Sequence, residues 1–390
     1  MPGKSSHRPK KSILIVSATA GAGHVRAGEA LVAAAESLRD RVTVTHEDIL
    51  DLTSPLFRKL YSEIYYAVVR SSPELWGYLY KRSDRGTSRK SKAHLMRLFD
   101  HVNYKKYLAK LNAAKPDAVV CTHFLPYRAI EDVILDPGWR IPFFAVPTDY
   151  DVHPLWVSRA VRRFYAATDE AAWTIRAHGI PAARTAVSGI PVMPQFSSAV
   201  SRRAACRELT LQPSLFTILI LSGGYGIGVV DELVPSLAQF LSARGRHKFQ
   251  LLVVCGKNPE LHAKLKRTTF PGNVRVTLYR YIPFVDLAMA CSDLLITKAG
   301  GLTVSEALAS HLPMVILDPL PGQEGRNADY VVEQGAAIIA TGFSNLHFKL
   351  GKLIDQPALL AAMRHRARAI SKPHAAIEIL EDVLRIAGGI

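Results

Sequence analysis

The chain has 390 residues, enough for two domains of ordinary size, and 48% of them are apolar against 21% charged, which excludes an intrinsically disordered protein. Its 49 Lys and Arg residues outnumber 33 Asp and Glu, giving a formal net charge of +16 that indicates an acidic partner: nucleic acid, an anionic membrane or a phosphorylated ligand. The four cysteines lie far apart without a CxxC pair, which argues against a disulfide scaffold or structural zinc site and indicates a reducing, cytosol-type compartment.

A short apolar run, SILIVSATA (Ser12–Ala20), follows the basic amino terminus. Because a helical pattern continues straight after this run, we interpret it as a buried first strand rather than a secretory signal peptide. The longest uncharged stretch, residues 211–230, contains Pro213 and four glycines, so it is predicted to be a strand and a loop. The sequence therefore predicts no membrane-spanning segment.

Short β-branched runs alternate with helical stretches along most of the chain, a pattern typical of βαβ units around parallel sheets. The predicted strands form two sets of six, which in chain order are 12–16, 42–46, 118–121, 143–146, 163–166 and one near Thr185, then 217–221, 250–254, 274–278, 294–296, 314–317 and 337–340. A segment rich in Gly, Pro and Ser, residues 188–201, separates the sets. We therefore predict an α/β protein with two Rossmann-like, doubly wound domains, residues 1–195 and 196–372, facing a cleft.

The stretch 55–115 interrupts the alternation and predicts two or three inserted helices. Ten aromatic residues, Trp76 among them, lie between residues 57 and 107, and residues 81–110 carry ten Lys or Arg with only two acids. This combination favours an anionic membrane interface, because aromatic rings lie at headgroup depth and cations attract anionic lipid. The alternatives are a solvated basic face over an ordinary aromatic core, and nucleic acid, although no nucleic-acid module is recognisable.

The motif SATAGAGH (Ser17–His24) follows the first strand and opens a helix. Its glycines allow a tight turn and a close approach of ligand to backbone. The helix N-terminus predicts a lowered pKa for His24, which would keep the ring neutral and able to accept a proton; alternatively, His24 only bonds a neighbouring loop. A dinucleotide fingerprint is a further alternative because Glu47 or Asp48 follows at a suitable distance, but its third glycine, Gly28, comes two residues too late.

The segment PTDYDVHPLW (Pro147–Trp156) lies at the end of another predicted strand. Asp149 and Asp151 match the D-x-D pattern of some metal sites, but a metal would need further oxygen ligands, and turn capping explains one of the two equally well. His153 and Trp156 are candidate substrate contacts or packing residues. His123, in CTHF after a further strand, is a weaker candidate of the same kind.

Two glycine-rich loops in the second half run from strand into helix, where main-chain N–H groups can cradle an anion. The first, LSGGYGIG (Leu221–Gly228), contains Gly223 and Gly224; the second is TKAGGLTVSE (Thr297–Glu306). Two such loops in one domain indicate a pyrophosphate-bearing ligand. Thr303 and Glu306 also have the spacing of a capping box, so Glu306 alternatively only holds the helix end.

The segment DPLPGQEGRNADY (Asp318–Tyr330) follows a predicted strand. We expect its Gln, Glu and Asn residues to lie on a turn shaped by Pro and Gly, where they supply paired donors and acceptors suited to sugar hydroxyls. The alternative is a polar surface loop.

With these motifs the chain resembles the monogalactosyldiacylglycerol synthase and processive diacylglycerol glucosyltransferase family, and more distantly the enzyme that adds N-acetylglucosamine to the peptidoglycan lipid carrier. The likeness covers nearly the whole chain, through GAGH, PELW, TDYDVHPLW and, most specifically, TKAGGLTVSEAL and PGQEGRNADYV. It implies a GT-B fold, inverting transfer from a UDP-sugar, and peripheral attachment to the cytoplasmic face of the membrane. It also implies that the final segment, residues 373–390, forms a helix (about 374–387) that crosses back onto the N-terminal domain.

The resemblance also implies roles for individual residues. Glu306 would bind the uridine ribose, the main chain of Ile282 the uracil, and Gln323 with Glu324 the hexose. The full donor-binding set is Gly223, Gly224, Ile282, Gly300, Gly301, Thr303, Glu306, Gly322, Gln323, Glu324 and Asn327, and the acceptor and membrane set is Trp76, His123, His153 and Trp156. We expect His24 to be the catalytic base, with Asp149 as second choice. The family's phosphate loop usually reads GPGT or GGFT, so the leucine between Gly301 and Thr303 is a mild departure.

The expected partners are a UDP-hexose, diacylglycerol and anionic membrane lipids, without nucleic acid. We assign no metal site and expect no required cofactor, because helix N-termini can stabilise the leaving UDP; metal dependence is left open, as is the choice between glucose and galactose. Three alternatives stay open: a UDP-GlcNAc transferase acting on a polyprenyl-linked peptidoglycan precursor, a UDP-sugar 2-epimerase, and a purely lipid-binding protein.

Overall fold

The computed structural model describes residues 9–19, 21–59, 104–198, 200–221, 230–245 and 249–388. The chain forms two compact units. Unit 1 comprises the chain up to Pro194 together with the segment from His374 onward, and unit 2 comprises Gln195–Pro373. Each unit contains one six-stranded parallel sheet, which confirms the predicted α/β class with two Rossmann-like sheets.

All twelve predicted strands form, with ends that differ from the predicted ends by two residues or fewer. The strands of unit 1 are β1 (Lys11–Ser17), β2 (Val42–Asp48), β3 (Ala118–Cys121), β4 (Phe143–Ala145), β5 (Val161–Ala166) and β6 (Thr185–Val187), and those of unit 2 are β7 (Phe216–Leu221), β8 (Phe249–Val254), β9 (Val274–Tyr279), β10 (Leu294–Thr297), β11 (Met314–Leu317) and β12 (Ala337–Ala340). Central strands such as β3, β8 and β11 are buried along their whole length. Their continuous apolar runs are therefore those of parallel strands covered on both faces.

The helices of unit 1 are α1 (Ala22–Ala35), α2 (Lys105–Ala114), α3 (Leu125–Arg128), α4 (Glu131–Ile134) and α5 (Asp169–Ala177). Those of unit 2 are α6 (Arg202–Glu208), α7 (Val230–Ala243), α8 (Pro259–Arg267), α9 (Val285–Ala290), α10 (Gly301–Ala309), α11 (Gln323–Glu333), α12 (Gly342–Asp355) and α13 (Pro357–Ala369), and α14 (Ala375–Ala387) returns to unit 1. None of the helices in the described part of the chain has the length and apolar character needed to span a membrane.

The order of the strands places a topological switch point in each sheet. The sheet of unit 1 runs β2-β1-β3-β4-β5-β6, so the chain reverses direction between β1 and β3. The sheet of unit 2 runs β12-β11-β10-β7-β8-β9, so its reversal lies between β7 and β10. Ligands of doubly wound sheets bind at such reversals, beyond the carboxyl ends of the strands. The fold therefore designates one candidate site in each unit.

The last helix, α14, belongs to the core of unit 1. Its buried residues Ile379, Leu380 and Val383 join a cluster that includes Leu31 of α1. A polar contact adds to this packing, because the Tyr165 hydroxyl on β5 donates to the carboxylate of Asp382 over 2.8 Å. The final segment thus stabilises the face of the sheet that carries α1.

The predicted aromatic insert is described only in part, because residues 60–103, with Trp76, lie outside the described residues. At its end, Tyr104 and Tyr107 are fully buried in the core of unit 1, and near its start Phe57 packs against the same core. These three aromatic residues therefore belong to the ordinary core, as the alternative interpretation of the insert expects.

Candidate functional site

The candidate site of unit 1 lies at the switch point between β1 and β3. The motif around His24 connects β1 to α1, and Gly21 turns the chain with φ of 117°, a left-handed value that favours glycine. Thr122 and His123 come directly after β3. Because the carboxyl ends of parallel neighbours lie at one edge of the sheet, His24 and His123 come together although 99 positions separate them along the chain.

Hydrogen bonds hold both the ring and the main chain of His24. Its Nδ1 lies 2.9 Å from the Thr122 carbonyl oxygen and 2.8 Å from the Thr148 hydroxyl, while the Thr122 hydroxyl donates to the His24 carbonyl over 2.8 Å. A carbonyl oxygen can only accept, so Nδ1 carries the hydrogen in the neutral ring. The lone pair that can take a proton is therefore on Nε2.

The pKa of His24 is lowered from 6.5 to about 4. Although the residue keeps part of its surface exposed, burial of the imidazole is the main cause, and the hydrogen bond to Thr122 opposes it only weakly. The pKa is thus lowered, as predicted, and desolvation is its largest cause, a contribution that the sequence did not reveal. At neutral pH the ring is an uncharged proton acceptor.

Two aromatic rings pack against His24, and a third packs against both of them. The His123 ring stands edge-on to it with centroids 4.7 Å apart, and the Trp156 ring lies 6.3 Å from His24 and 6.2 Å from His123. Phe124 contacts both His123 and Trp156. The structure therefore brings together three of the residues that the sequence singled out, His24, His123 and Trp156.

His123 and His153 have their Nδ1 atoms engaged by the main chain. His123 Nδ1 accepts from the Leu125 N–H over 3.0 Å, and His153 Nδ1 accepts from the Leu155 N–H over 3.2 Å, which caps a short 3₁₀ turn, Pro154–Trp156. Burial and the nearby His24 lower the pKa of His123 well below its usual value. Both histidines consequently have a local structural role in addition to any contact with substrate.

Asp149 follows Thr148 directly and is half-buried, as is Asp151. Within the described residues, no group of three or more His, Cys, Asp or Glu side chains is arranged to hold a metal ion. Asp149 and Asp151 thus belong to no such group in the part of the chain that the structure describes, and Asp149 is adjacent in sequence to Thr148 of the His24 site.

The candidate site of unit 2 lies where β10 gives way to α10. Gly300 is the N-cap of α10, and Gly301 is its first residue, so the N–H groups of the first turn have no partner within the helix. A Cβ on Gly300 would find no atom within 4 Å, and its φ of −67° is open to any residue. Neither packing nor backbone strain explains this glycine, which leaves space for a ligand at the helix N-terminus.

The capping-box interpretation of Thr303 and Glu306 is wrong. Because α10 begins at Gly301, Thr303 lies in the third helical position and Glu306 in the sixth, one turn too far along for a cap. Glu306 is instead a buried carboxylate, 6% exposed, on the face of a helix beside the switch point. The structure therefore gives Glu306 a position that the requirements of the helix end do not explain.

Gln323, Glu324 and Asn327 lie on the first turns of α11, so the predicted turn at these positions was wrong. Gly322, with φ of 103°, precedes the helix. Glu324 accepts the Leu320 N–H over 3.1 Å, and burial raises its pKa, which this hydrogen bond and the nearby Lys298 partly oppose. Helical spacing therefore fixes the mutual positions of these side chains.

Asn327 connects α11 to the glycine loop after β10. It is 1% exposed, and its amide donates to the Ala299 carbonyl over 3.0 Å. The residue thereby holds the backbone beside Gly300 in place, a positioning contact that the sequence motif did not reveal.

Three further candidate positions for donor binding are Ile282, Gly223 and Gly224. Ile282 has a buried side chain between β9 and α9, so only its main chain could meet a base. Gly223 and Gly224 follow β7 in the chain and lie outside the described residues.

The dinucleotide alternative loses its support in this structure. A Cβ on Gly28 would lie 2.6 Å from His46 Nε2, so packing of α1 against β2 explains this glycine. Glu47 forms an ion pair with Lys110, and Asp48 accepts the N–H groups of Leu50 and Thr19. The acids that would hold a ribose are therefore engaged in contacts within the unit.

Comparisons with known proteins cover both units. Residues 24–192 match the family described as Monogalactosyldiacylglycerol (MGDG) synthase, and residues 217–379 match the glycosyltransferase family 28 C-terminal domain. The processive diacylglycerol beta-glucosyltransferase of Bacillus cytotoxicus is 28% identical over 380 residues, which cover 95% of this chain and 93% of that protein. Along nearly its whole length the chain is therefore similar to processive diacylglycerol beta-glucosyltransferases, with a match to the MGDG synthase family in its first half and to the glycosyltransferase family 28 C-terminal domain in its second.

Solved structures share the fold of this chain at low sequence identity. Acinetobacter baumannii MurG is 18% identical with a TM-score of 0.63, covering 98% of this chain and 100% of that one. The Neisseria meningitidis UDP-GlcNAc 2-epimerase bound to UDP-GlcNAc is 15% identical with a TM-score of 0.58, covering 96% and 100%. The expected GT-B fold is confirmed, and because a transferase and an epimerase share it, the fold alone does not select the reaction.

Two residues at the His24 site were not among the residues predicted from the sequence. Thr122 and Thr148 provide the contacts to His24 Nδ1, yet each appears in the sequence only as a threonine shortly after a predicted strand. The signal that could have found them is topological, since β3 and β4 are neighbours and end at the same edge as β1.

Proposed function

We propose that this chain is an inverting glycosyltransferase that moves a hexose from a UDP-sugar to the free hydroxyl of diacylglycerol. The observation that carries the chemistry is the His24 ring, which is neutral, fixed at Nδ1 and basic at Nε2. The similarity to processive diacylglycerol beta-glucosyltransferases along nearly the whole chain supports the choice of substrates.

On the acceptor side, His24 Nε2 takes the proton of the diacylglycerol hydroxyl as its oxygen attacks the anomeric carbon. The new bond forms on the face opposite the leaving UDP, so the sugar inverts. A pKa of about 4 keeps the base unprotonated at neutral pH. As the ring becomes positive, the oxygen atoms of Thr122 and Thr148 beside Nδ1 stabilise the charge. Asp149, next to Thr148 in the chain, is the second choice for the catalytic base.

On the donor side, we assign the diphosphate to the N-terminus of α10, where the N–H groups of Gly301 and Thr303 are available to an anion. Lys298 adds a positive charge to the same loop, and the space beside Gly300 allows close approach. We propose that these groups, together with the loop containing Gly223 and Gly224, take the charge of the leaving UDP without a bound metal.

The other donor contacts follow the placement of the side chains. The buried carboxylate of Glu306 on α10 suits the hydroxyls of a ribose, and the main chain at Ile282 suits the base. Gln323 and Glu324 at the start of α11, after Gly322, suit the hexose hydroxyls, with Asn327 holding the loop between them and the diphosphate.

We further propose peripheral attachment to anionic lipids on the cytoplasmic face of the cell membrane. The basic and aromatic composition of residues 57–110 supports this interpretation. Leu155 is 46% exposed beside the buried Trp156, so an apolar side chain is available next to the His24 site. Trp76, His123 and His153 complete the proposed acceptor and membrane side.

The test is incubation of the chain with diacylglycerol liposomes and, separately, UDP-glucose, UDP-galactose or UDP-GlcNAc, with products identified by mass and anomeric configuration by NMR. A glycolipid of inverted configuration from one hexose donor is expected. Conversion of UDP-GlcNAc without lipid would indicate an epimerase, and transfer only to a polyprenyl-linked precursor would indicate the peptidoglycan reaction. Either result, or no glycolipid from any donor, overturns the proposal.

The variant His24→Ala tests the base. We expect turnover to fall by about 10²- to 10⁴-fold while UDP binding, followed by calorimetry, stays within twofold. A matched control is His178→Ala, because His178 Nδ1 also lies 2.8 Å from a carbonyl oxygen, that of Thr174, but on the exposed end of α5. Near-normal turnover of His24→Ala would remove this residue from the mechanism.

A further inference from the structure

The Thr148 side chain occupies a distinctive place beside the proposed base. It is only 5% exposed, and its hydroxyl oxygen lies 2.8 Å from His24 Nδ1. The Thr122 carbonyl oxygen lies 2.9 Å from the same nitrogen. Because these two oxygens come from the loops after β4 and β3, the ring is held between two neighbouring strand ends.

The chemistry of these contacts fixes the tautomer. Since the carbonyl cannot donate, Nδ1–H points toward it, and the Thr148 hydroxyl can share that hydrogen through one of its lone pairs. Rotation of the ring would break both contacts. A switch to the Nε2–H tautomer would set the Nδ1 lone pair against the Thr122 carbonyl, although the Thr148 hydroxyl could then donate to Nδ1. Two uncharged oxygens therefore do the positioning for which a carboxylate serves in catalytic triads.

We propose that Thr148 is a positioning residue that holds the His24 ring in the orientation in which Nδ1–H meets the Thr122 carbonyl and Nε2 is available as the base, an inference that rests on the proposed function. Its hydroxyl also stabilises the imidazolium that forms when Nε2 takes the acceptor proton, because the Nδ1–H then donates to two oxygens. His123 is a titratable group that faces the His24 ring, with 4.7 Å between the two ring centroids.

The decisive variants are Thr148→Val, which keeps the shape of the side chain but lacks the hydroxyl, and Thr148→Ser, which keeps the hydroxyl. We expect Thr148→Val to lower kcat for glycolipid formation by about 10- to 100-fold, with the Kd for UDP within twofold. Thr148→Ser should retain activity within about threefold, because its hydroxyl can occupy the same position. A control is Thr53→Val in the same unit, where a similarly buried hydroxyl bonds only main-chain carbonyls, those of Leu50 and Ser54.

A second readout does not depend on transferase activity. Long-range ¹⁵N–¹H NMR of the histidine rings reports the tautomer and the pKa of His24. All three proteins should show the Nδ1–H form that the Thr122 carbonyl selects. The pKa of His24 should be lower in Thr148→Val than in wild type and Thr148→Ser, since the imidazolium loses one acceptor. Should the valine variant fail to fold, Thr148→Ala is measured in its place.

The outcomes distinguish failure of the Thr148 positioning role from failure of the proposed transferase function. Unchanged kcat and an unchanged pKa of His24 in Thr148→Val would overturn the positioning role, as would failure of Thr148→Ser to retain activity. A wild-type chain without activity on any donor would overturn the proposed function, while the NMR comparison would still decide whether Thr148 fixes the His24 ring.

Discussion

Two glycines of one helix give the sharpest test of which motif residues serve the fold and which leave space for a ligand. Gly23 and Gly28 both lie in α1, in the stretch that a dinucleotide fingerprint would treat as one motif. A Cβ on Gly23 would meet no atom within 4 Å, whereas a Cβ on Gly28 would lie 2.6 Å from His46 Nε2. The same substitution should therefore have opposite effects at the two positions.

The magnitudes follow from these distances. Gly23→Ala should raise the free energy of unfolding by about 0.5–1 kcal/mol, because alanine favours the helix and restricts the unfolded chain. Gly28→Ala gains the same preference but displaces the His46 ring and its 2.8 Å hydrogen bond to Ser17. With overpacking at about 1–3 kcal/mol and a lost hydrogen bond at about 1 kcal/mol, the net loss should be about 1–3 kcal/mol.

Urea denaturation followed by circular dichroism measures both changes, and the liposome assay measures transfer. We expect Gly23→Ala to be stabilised yet at least about tenfold slower, since its methyl group occupies space next to His24. The double variant Gly28→Ala/His46→Ala should recover part of the lost stability because the clashing ring is gone. A destabilised Gly23→Ala, or a stable and fully active one, would refute the view that a ligand uses this space.

The remaining predictions concern His24, Asn327 and Tyr165. The pKa of His24 is about 4 in the folded chain and 6.5 in the unfolded chain, so the unfolded chain binds the proton first as pH falls. The free energy of unfolding should therefore drop by up to about 3 kcal/mol between pH 6.5 and 4. Urea titrations at several pH values measure this drop, and His24→Asn should lack it. Asn327→Ala leaves the Ala299 carbonyl without its donor, so we expect about 1–3 kcal/mol of destabilisation. The KM for the UDP-sugar should also rise in steady-state kinetics, and an unchanged KM would contradict the proposal that Asn327 holds the glycine loop. Tyr165→Phe removes the hydroxyl that donates to Asp382 and should cost about 1.5–3 kcal/mol in urea denaturation. A neutral result would show that this hydrogen bond does not help to hold α14, where the ion pair of Asp382 with Arg163 remains.

Much of the fold could be predicted because its signals are local. Strands such as Ala118–Cys121 and Met314–Leu317 appear as uninterrupted apolar runs between turn residues, and burial on both faces of a parallel sheet requires such runs. The glycines at 300 and 301 indicate a strand-to-helix loop for an equally local reason, since backbone freedom belongs to the residue itself.

The sequence by itself thus determined two parallel sheets and the strand ends at which the candidate residues lie. Only the tertiary structure decided the partners of those residues. The desolvation that lowers the pKa of His24, its contacts with Thr122 and Thr148, and the His46 ring over Gly28 all come from residues distant in the chain. The capping-box spacing misled for a related reason: helix α10 begins two residues before Thr303, and the sequence pattern did not reveal that boundary. Hydrogen bonds and burial depend on residues that are neighbours in space. These residues are far apart in the chain, so no local sequence pattern indicates that they meet.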